Sequence, residues 1–583
     1  MKLPSPRFLI DALATAFRRF PMVMLAAILG TACMMWIVEY DSSDLNVVIR
    51  LLLTAAIGVP LLLAGRLMRG DGTGMMWNTR LPEIVAILIL VGLFFTFRVG
   101  EYNSLSLQSA LLFALVNLSA HLLVAVGPFL NRSSDADFWE YNKTLFSNFV
   151  IGAVYSAILY AGLSIAILAV DNLFELRIDG KIYAHLFFFL AGVFNTAYFL
   201  FHFPAELRLA KDQRPEYHIA LRNLVKYILI PIVTIYFVIL YAYSLKILVQ
   251  WELPRGWVGS LVLGFSVAGI FTWLLNYFLP ESDDSALVAA YRKWFFPVLL
   301  PMTLLLFVAI GRRIGDYGVT EPRMLVATTG VWLLVMCLYF IIAKRPSIKA
   351  IPASLILFAL ACAIGPLSAG KVSARSQAHR LQHELEQAGM WQDGKMVPAR
   401  DSLDEEIAGE ISSILTYMNE WEHLDMLKGW TDKFSGTEKL SWSELEQVKE
   451  ELGLKKFKAR KHLAFSFEQP AGVSVVDYQH LWVIDAVASG RGANSITDNV
   501  LTLETPDGGE LELDMTPLLQ HLKEKFGENN SAKPAEEGAY EFQEGDWEFR
   551  FYVRTLYPDI NDGDEINQLA GVLLGKRSGS APQ

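Results

Sequence analysis

Residues 349–389 read KAIPASLILFALACAIGPLSAGKVSARSQAHRLQHELEQAG, and the chain changes its preferred solvent within them. The part up to Ser368 is almost free of charge, and an α-helix needs about 20 apolar residues to cross a hydrocarbon core about 30 Å thick. Residues 372–389 then place Leu381 and Leu385 on one face among charged residues, which is typical of an amphipathic helix in contact with water. The sequence therefore predicts that a membrane part ends within this stretch.

Toward the N-terminus, apolar segments of similar length recur between short polar breaks. The chain is 53 % hydrophobic with a mean hydropathy of +0.34 and 19 % charged residues, whereas a soluble chain would hold about 25 % charged residues. We predict an all-α polytopic membrane bundle of about eleven transmembrane helices over residues 1–370. The predicted spans lie near residues 21–39, 46–66, 81–98, 106–127, 145–170, 182–203, 224–249, 257–279, 294–311, 322–343 and 349–368.

The distribution of Lys and Arg predicts the orientation of the bundle. Residues 1–370 contain 28 of these residues, and 19 of them fall in loops and helix ends on the side of the N-terminus. Because cytoplasmic loops carry the excess of basic residues, we predict a cytoplasmic N-terminus. An odd number of spans then puts the C-terminal region in the periplasm, outside a bacterial inner (plasma) membrane.

The region after residue 370 is acidic, which excludes some classes of function. It holds 22 Lys and Arg against 38 Asp and Glu, a net charge of −16, while residues 1–370 carry +6. Nucleic acid is not expected as a partner, because phosphate binding requires clustered basic residues. The acidic region has no cysteine, since Cys33, Cys337 and Cys362 all fall in apolar stretches of the membrane part. A disulfide framework and a Cys-based metal site are therefore not expected there.

The acidic region is predicted to form a soluble helical segment over residues 371–460 and a soluble α+β domain over residues 461–583. Two capping-box patterns, which begin at Ser402 and Ser441, mark helix starts. Alternating apolar residues and a turn at Asp507-Gly-Gly predict strands and one hairpin. Besides the helix at 372–389, the predicted helices lie near 402–422, 441–452, from 516 onward and near 564–574, the strands near 462–468, 479–487, 499–504, 510–514 and 547–555, and a loop over 527–546.

The loop between the ninth and tenth predicted spans is the most chemically loaded segment of the membrane part. On a functional interpretation, its guanidinium groups bind an anionic headgroup or substrate. On a structural interpretation, Gly318 makes a turn and Thr320 caps the tenth helix. Glu321 then pairs with Arg323 or Arg313, and we favour this interpretation because it gives every residue an ordinary role. The candidate anion- or lipid-binding residues are Arg312, Arg313, Tyr317, Thr320, Glu321 and Arg323.

Three stretches of the sequence resemble one known family. They are Arg313-Ile-Gly-Asp-Tyr-Gly-Val-Thr-Glu-Pro-Arg323, then Gly365-Pro-Leu-Ser368 running into Ser376-Gln377 and Arg380-Leu381, and Glu410-Ile-Ser-Ser-Ile-Leu415. With its Tyr-Gly-x-Thr-Glu-x-Arg loop, the chain resembles the bacterial multi-pass inner-membrane family of the domain of unknown function 4153. The resemblance covers nearly the whole membrane part and the first soluble helices. It implies a membrane location and architecture but no catalytic role, because the family has no assigned reaction.

Polar residues inside the predicted spans are few. No Asp or Glu lies at the centre of a span, so transport coupled to a proton on a buried carboxylate is not supported. Asn117 and His121, spaced i and i+4, share one face of the fourth span and form the candidate intramembrane polar pair. Interhelical hydrogen bonding explains this pair better than a relay or a ligand site.

We expect no enzyme, cofactor or metal site, because the chain has no nucleophile elbow, phosphate loop or dinucleotide fingerprint. The favoured hypothesis is a non-enzymatic envelope scaffold or sensor, with membrane lipids at the charged loop and a partner protein at the periplasmic residues 371–583. The alternative is a transporter or flippase of a lipid-like or anionic substrate, indicated by the many spans and by Pro297 and Pro301. A transporter should line a wet cavity with polar residues, and the candidates are Asn117, His121, Asn195 and Asn276.

Overall fold

A computed structural model gives the fold of the chain. It describes residues 6–40, 45–68, 80–100, 103–130, 134–204, 215–250, 257–279, 285–399, 403–434, 439–454, 465–467, 478–487, 494–504, 510–526, 538–558 and 565–577. The chain divides into two compact units, Met1–Val448 and Lys449–Gln583. The predicted domain boundaries after residues 370 and 460 stay predictions.

The first unit is helical, and each predicted span overlaps at least one of its helices. They are α1 (Pro6–Arg19), α2 (Pro21–Glu39), α3 (Asn46–Met68), α4 (Leu81–Thr96), α5 (Leu107–Val126), α6 (Asp135–Phe174), α7 (Lys181–Phe188), α8 (Asn195–Phe201), α9 (Ile219–Asn223), α10 (Ile230–Gln250), α11 (Trp257–Asn276), α12 (Ala286–Tyr317), α13 (Glu321–Ile342) and α14 (Ala350–Ala363). π-Helical turns at Phe189–Phe194 and Leu224–Leu229 join α7 to α8 and α9 to α10.

Within the described residues, eight helices are long and apolar enough to cross a membrane. Three shorter apolar helices, in α4, α11 and α14, lie at the other predicted positions. The prediction of a mostly helical part with several apolar spans is therefore confirmed, as expected of a multi-pass membrane protein, whereas the number eleven stays a prediction.

The outer surface of these helices is apolar. Large apolar side chains are exposed along the helices, and four of them are between 72 % and 76 % exposed, namely Phe95, Leu173, Val249 and Ile342. Contact with water would penalise such a surface, whereas contact with lipid chains does not. The helices are therefore suited to a lipid environment.

Inside the bundle, polar side chains donate to backbone carbonyls of neighbouring helices. Trp139 Nε1 donates to the carbonyl of Leu274 over 2.7 Å, and the Tyr291 hydroxyl donates to the carbonyl of Gly269 over 3.1 Å. In hydrocarbon, a polar group without a partner is costly. These bonds therefore stabilise the packing of α6 and α12 against α11.

The two prolines of the ninth predicted span both lie inside α12. Pro297 is far from the start of this helix at Ala286, so it stands in the helix interior and not in a first helical turn. The helix begins earlier than expected because the polar segment before residue 294 continues it. Each proline removes one helical hydrogen bond, which makes α12 the helix most prone to bend at these positions.

The first unit continues past the last apolar helix. Helices α15 (Ala369–Gln387), α16 (Glu405–Glu420) and α17 (Trp442–Glu451) follow, with an antiparallel pair of β1 (Trp391–Gln392) and β2 (Lys395–Met396) between α15 and α16. α15 packs against both α13 and α16. The chain thus returns to the bundle after leaving it.

The capping box predicted at Ser441 is confirmed. The Ser441 amide donates to Glu444 Oε2 over 2.8 Å, and the Glu444 amide donates to Ser441 Oγ over 3.4 Å. The hydrogen bonds that the Ser441 amide and hydroxyl donate to the Glu444 carboxylate lower the pKa of this carboxyl. The other capping box predicted, at Ser402, lies outside the described residues.

The second unit is rich in β-structure. Its elements are β3 (Phe465–Ser466), β4 (His480–Val487), β5 (Asn494–Thr497), β6 (Val500–Glu504), β7 (Glu510–Asp514), α18 (Thr516–Phe526), β8 (Ala539–Glu544), β9 (Trp547–Pro558) and β10 (Ile566–Arg577). One antiparallel sheet has the order β3, β9, β10, β4, with β8 also paired to β9, and the other has the order β5, β6, β7. Apolar side chains of both sheets and α18 share one core. The predicted hairpin is confirmed as β6 and β7.

Two predictions for this unit are wrong. The final helix predicted near 564–574 is strand β10, and the loop predicted over 527–546 contains strand β8, while residues 527–537 lie outside the described part of the chain. The misleading signal in β10 is the helix-like spacing of four between Leu569 and Leu573, which are both buried.

The physical reason for strand β10 lies in its neighbours. β9 and β4 pair with both edges of β10. Apolar residues on both of its faces are also buried, so the alternation typical of a half-exposed strand is lost. Gly571 stands where a β-carbon would collide with the backbone of Tyr552 in β9. Glycine disfavours a helix interior and permits this close approach of two strands.

Candidate functional site

The charged loop between α12 and α13 turns at a glycine. Gly318 follows the last residue of α12 with a φ of +70°, which side chains other than glycine rarely adopt. A β-carbon at this position would lie 2.8 Å from Nε2 of Gln377 and 3.3 Å from Oγ of Ser376, both on α15. The loop therefore packs directly on α15, at the turn that the sequence predicted.

Side chains of α15 bond to the backbone of this loop. Gln377 Nε2 donates to the carbonyls of Tyr317 and Val319, each over 3.0 Å. The Val319 amide donates to Ser376 Oγ over 2.9 Å. Gln377 is buried, so its bonds replace the water that the loop carbonyls would otherwise need. The first helix after the bundle is therefore fixed to the loop.

Two arginines lie beside the ring of Tyr317. Arg323 Nη1 donates to the carbonyls of Tyr317 and Gly318 over 3.0 and 2.9 Å, and its guanidinium is 5.3 Å from the ring centroid. The Arg380 guanidinium is 5.9 Å from the same centroid, and its Nη2 donates to Glu410 of α16 over 2.5 Å. Cation–π attraction adds to these hydrogen bonds. Residues from α12, α13, α15 and α16 thus meet around one ring.

The three stretches that resemble a family lie together in this network. Residues 313–323 supply the loop, residues 376–381 supply the side chains of α15 that bond to it, and residues 410–415 supply the carboxylate of Glu410. The bond between Val319 and Ser376 alone joins residues 57 positions apart. The shared role of the three stretches is therefore to attach the helices after the last span to the bundle.

A buried polar cluster lies next to the loop. Glu321, the first residue of α13, is 1 % exposed and accepts a hydrogen bond from the hydroxyl of Tyr417. Its Oε1 lies 2.6 Å from Nε2 of His423, which is itself 5 % exposed. His423 Nδ1 lies 3.1 Å from Nε2 of Gln108 on α5. These contacts fit an imidazole that accepts a hydrogen from Gln108 and donates one to Glu321.

Burial of the cluster affects Tyr417 directly. Burial raises the pKa of the Tyr417 hydroxyl, and the neighbouring carboxylate of Glu321 raises this pKa further. The hydroxyl is therefore a hydrogen-bond donor at neutral pH. The expected pairing of Glu321 with Arg323 or Arg313 is wrong, because Glu321 points to Tyr417 and His423 while Arg323 bonds to loop carbonyls.

The other residues of the predicted anion or lipid site do not take part in the network around Tyr317 or in the buried cluster. Arg312 and Arg313 are exposed, and Arg312 Nε lies 3.9 Å from Asp316 one turn along α12. Thr320 precedes α13, but its side chain makes no capping hydrogen bond, so the expected cap is wrong. Of the six candidates, Tyr317, Glu321 and Arg323 therefore form a docked group and the two α12 arginines form an exposed group, while Thr320 belongs to neither.

The predicted intramembrane pair bonds within its own helix. His121 Nδ1 lies 2.9 Å from the backbone carbonyl of Asn117, and the ring of His121 is exposed. Asn117 Oδ1 is buried and accepts no hydrogen bond from the described residues. The interhelical bond expected for this pair is thus replaced by a bond along α5.

A cavity of about 500 Å³ opens beside the buried cluster. Its walls come from the ends of α4 and α14, the start of α5, the first turns of α15 and the segment after α16. Leu111, Leu112 and Ile364 line its apolar part. Its charged lining residues are Arg98, Glu321, Lys371, Arg375, Glu422 and Asp425. This combination suits an amphiphilic ligand better than a purely apolar one.

Sequence analysis did not identify Gln108, Tyr417 or His423. The bond between His423 and Glu321 spans 102 positions, and no spacing rule connects residues so far apart. The stretch 410–415, which ends shortly before Tyr417, was the one pointer to this region. Within the described residues, no group of three His, Cys, Asp or Glu side chains is arranged to hold a metal ion.

Comparison with known proteins gives two matches of the sequence. The family model described as "Domain of unknown function (DUF4153)" matches residues 24–404. The chain is also 23 % identical over 378 residues to the "Uncharacterized protein PM1469" of Pasteurella multocida (strain Pm70). That alignment covers 64 % of this chain and 61 % of the relative. No solved structure matches the chain.

Proposed function

The chain belongs to the DUF4153 family, and on this basis we propose that it is a multi-pass bacterial inner-membrane protein that acts as a non-enzymatic envelope scaffold or sensor. Its bundle of eleven spans has a cytoplasmic N-terminus and presents the soluble residues 371–583 in the periplasm, including an α+β domain. Helices α15 and α16 are held at the bundle, and residues 371–583 bind an envelope protein.

The attachment of α15 and α16 to the bundle carries this proposal. The helices after the last span return to the loop between α12 and α13, where Gln377 and Arg380 bond to loop carbonyls. The buried contact of Glu321 with His423 adds a second attachment point. A flexible linker would need neither attachment, whereas a scaffold needs a fixed geometry at the membrane surface. The exposed Arg312 and Arg313 suit contacts with lipid headgroups at the same surface.

The positions of the polar residues that would line a transport path favour a scaffold over a transporter. Asn276 is fully buried, and its Nδ2 donates to the carbonyl of Val288 over 3.0 Å. His121 is exposed and bonds to its own helix. The cavity beside the buried cluster is lined by neither of these two residues, nor by Asn117 or Asn195.

A transporter or flippase of a lipid-like or anionic substrate is the second candidate. It is favoured by the two π-helical turns and by Pro297 and Pro301 inside α12, since irregular helices often occur at functional sites. Movement of a labelled lipid across proteoliposomes that depends on this chain would make it the first candidate.

A reporter fusion tests the orientation. A reporter that is active only in the cytoplasm, fused after Gln583, is expected to stay silent, because an odd number of spans separates the termini. The same reporter fused before Met1 is the matched control and should be active. Equal activity at both ends would contradict the proposed orientation.

Site-directed crosslinking tests the scaffold role. β4 is the last strand of its sheet, and Leu481 and Val483 on one of its faces are 51 % and 68 % exposed. Exposed apolar residues at a sheet edge are suited to contact another protein. A photo-crosslinker at Leu481 of the full-length chain in cells is expected to form one discrete protein adduct, and a crosslinker at the exposed Lys395 is not. Absence of any adduct from several positions on β4 would count against the scaffold.

A further inference from the structure

The cavity beside the buried cluster lies where membrane and water meet. Three of its walls are ends of apolar helices, at Thr96 of α4, Leu111 of α5 and Ala363 of α14. The opposite wall is the polar start of α15 and the segment after α16. A molecule in this cavity would therefore touch apolar side chains on one side and charged side chains on the other, which is the environment of a lipid headgroup.

One part of the cavity is built for a phosphate. Lys371 and Arg375 are exposed on successive turns of α15, and both line the cavity. Ser368, Gly370 and Lys371 at the N-terminus of this 19-residue helix also line it, and the Ser368 side chain makes no capping hydrogen bond. Free amides at a helix start and two nearby cations together attract a phosphate oxygen.

Another part of the cavity is built for a cation that donates hydrogen bonds. Glu422 lines the cavity, its side chain is 11 % exposed, and its Oε2 is buried without a hydrogen bond from the described residues. Arg98 Nη1 is 3.9 Å from this oxygen. Glu422 has a φ of +56°, an uncommon conformation for a residue with a side chain. Asp425 adds a second carboxylate to the lining.

We propose that this cavity binds the headgroup of a phosphoethanolamine lipid. The phosphate bonds to Lys371, Arg375 and the first amides of α15, and the primary ammonium donates to Glu422 and Asp425. A volume of about 500 Å³ accommodates such a headgroup and the start of its acyl chains. The proposal concerns a site away from the exposed Arg312 and Arg313, and it does not require a partner protein.

The acidic lining decides between lipid classes. An anionic headgroup without an ammonium would supply no hydrogen bond to Oε2 of Glu422, which Arg98 approaches only to 3.9 Å, and it would add repulsion. A choline headgroup has a cation but no N–H, so it cannot supply the hydrogen bond that Oε2 lacks. The primary ammonium of ethanolamine, with three donors, satisfies both requirements.

Native mass spectrometry of the full-length protein, delipidated in detergent, tests the proposal. The probes are phosphatidylethanolamine, phosphatidylcholine and phosphatidylglycerol with the same acyl chains, and soluble phosphoethanolamine. We expect phosphatidylethanolamine to bind at least about tenfold more tightly than phosphatidylcholine, because one charge-assisted hydrogen bond distinguishes them. Soluble phosphoethanolamine should compete weakly, since it lacks the contacts with Leu111 and Ile364. Competition equal to that of the lipid would overturn the lipid as the source of the headgroup.

Variants separate the two halves of the site. Glu422→Gln should reduce the preference for phosphatidylethanolamine over phosphatidylcholine to within about twofold, and Asp425→Asn is the second acidic variant if Glu422→Gln fails to fold. The double variant Lys371→Gln with Arg375→Gln should weaken both lipids about tenfold. Lys395→Gln is the matched control and should leave binding unchanged.

Three results would overturn the proposal. The first is equal affinity of the unmodified protein for the three lipids. The second is an unchanged lipid preference in folded Glu422→Gln and Asp425→Asn proteins. The third is a loss of binding in Arg312→Gln but not in the Lys371 and Arg375 variant, which would assign the lipid to the loop. None of these results affects the crosslinking test of the scaffold, so the two proposals can fail separately.

Discussion

Glu321→Ala is expected to destabilise the first unit by about 3–5 kcal/mol and to release the segment after α16 from the bundle. Glu321 is 1 % exposed, and its carboxylate bonds to both Tyr417 and His423. Removing it leaves a hydroxyl and an imidazole buried without this partner, and buried polar groups without partners are costly. Because native proteins are stable by only about 5–15 kcal/mol, the loss is a large fraction of the total.

The measurement is thermal unfolding of the full-length protein in detergent, followed by limited proteolysis. The Glu321→Ala protein should have a lower Tm and should be cleaved faster between Trp421 and Met426. Glu321→Gln keeps the shape and can still bond to both partners, so we expect a loss of about 1 kcal/mol. Asp316→Ala, which removes an exposed acid, should change stability by less than about 0.5 kcal/mol. Equal Tm values for Glu321→Ala and Asp316→Ala would contradict a stabilising role of the cluster.

Gly318→Ala is expected to cost about 2–4 kcal/mol and to loosen α15 from the loop. The φ of +70° at Gly318 is strained for any residue with a β-carbon. The new β-carbon would also lie 2.8 Å from Gln377 Nε2 and would displace it from the carbonyls of Tyr317 and Val319. Backbone strain and lost hydrogen bonds therefore act together.

A matched control separates these effects. Gly315 lies in α12 with open space around it, so Gly315→Ala should be neutral or stabilising by up to about 1 kcal/mol. In a Gln377→Ala background, Gly318→Ala should cost less than in the unmodified protein, because the contact with Gln377 no longer exists. Thermal unfolding in detergent measures the unmodified protein and the four variants. A cost that is the same in both backgrounds would show that the contact with α15 does not contribute.

Local sequence patterns were sufficient to predict where the apolar helices of the membrane part lie. Each apolar helix was predicted near its observed position because a bilayer requires about 20 apolar residues in a row, and this requirement is visible in any single segment. The capping box at Ser441 and the hairpin of β6 and β7 were predicted for the same reason, since their signals lie within a few residues. The family was predicted from short stretches, and the family model matches residues 24–404.

The candidate site was only partly predictable. The loop of residues 313–323 was identified because charge is unusual at the end of a span. Its partners Gln377 and Arg380 were part of the family resemblance, but their contact with the loop could not be inferred from it. Glu321 was assigned an arginine partner because arginines are its neighbours in sequence, whereas its partner in space, His423, is 102 positions away.

The sequence by itself determined which parts of this protein are suited to lipid. The free energy of transferring about 20 apolar residues from water is a sum over one segment, and it does not depend on contacts with other segments. Only the tertiary structure decided that the loop at Gly318 is a docking surface and that Glu321 lies buried beside His423. It also decided that residues 566–577 form strand β10, since both edges of this segment pair with strands β9 and β4. Such contacts depend on residues distant in sequence, and a local pattern carries no information about which distant residues will meet.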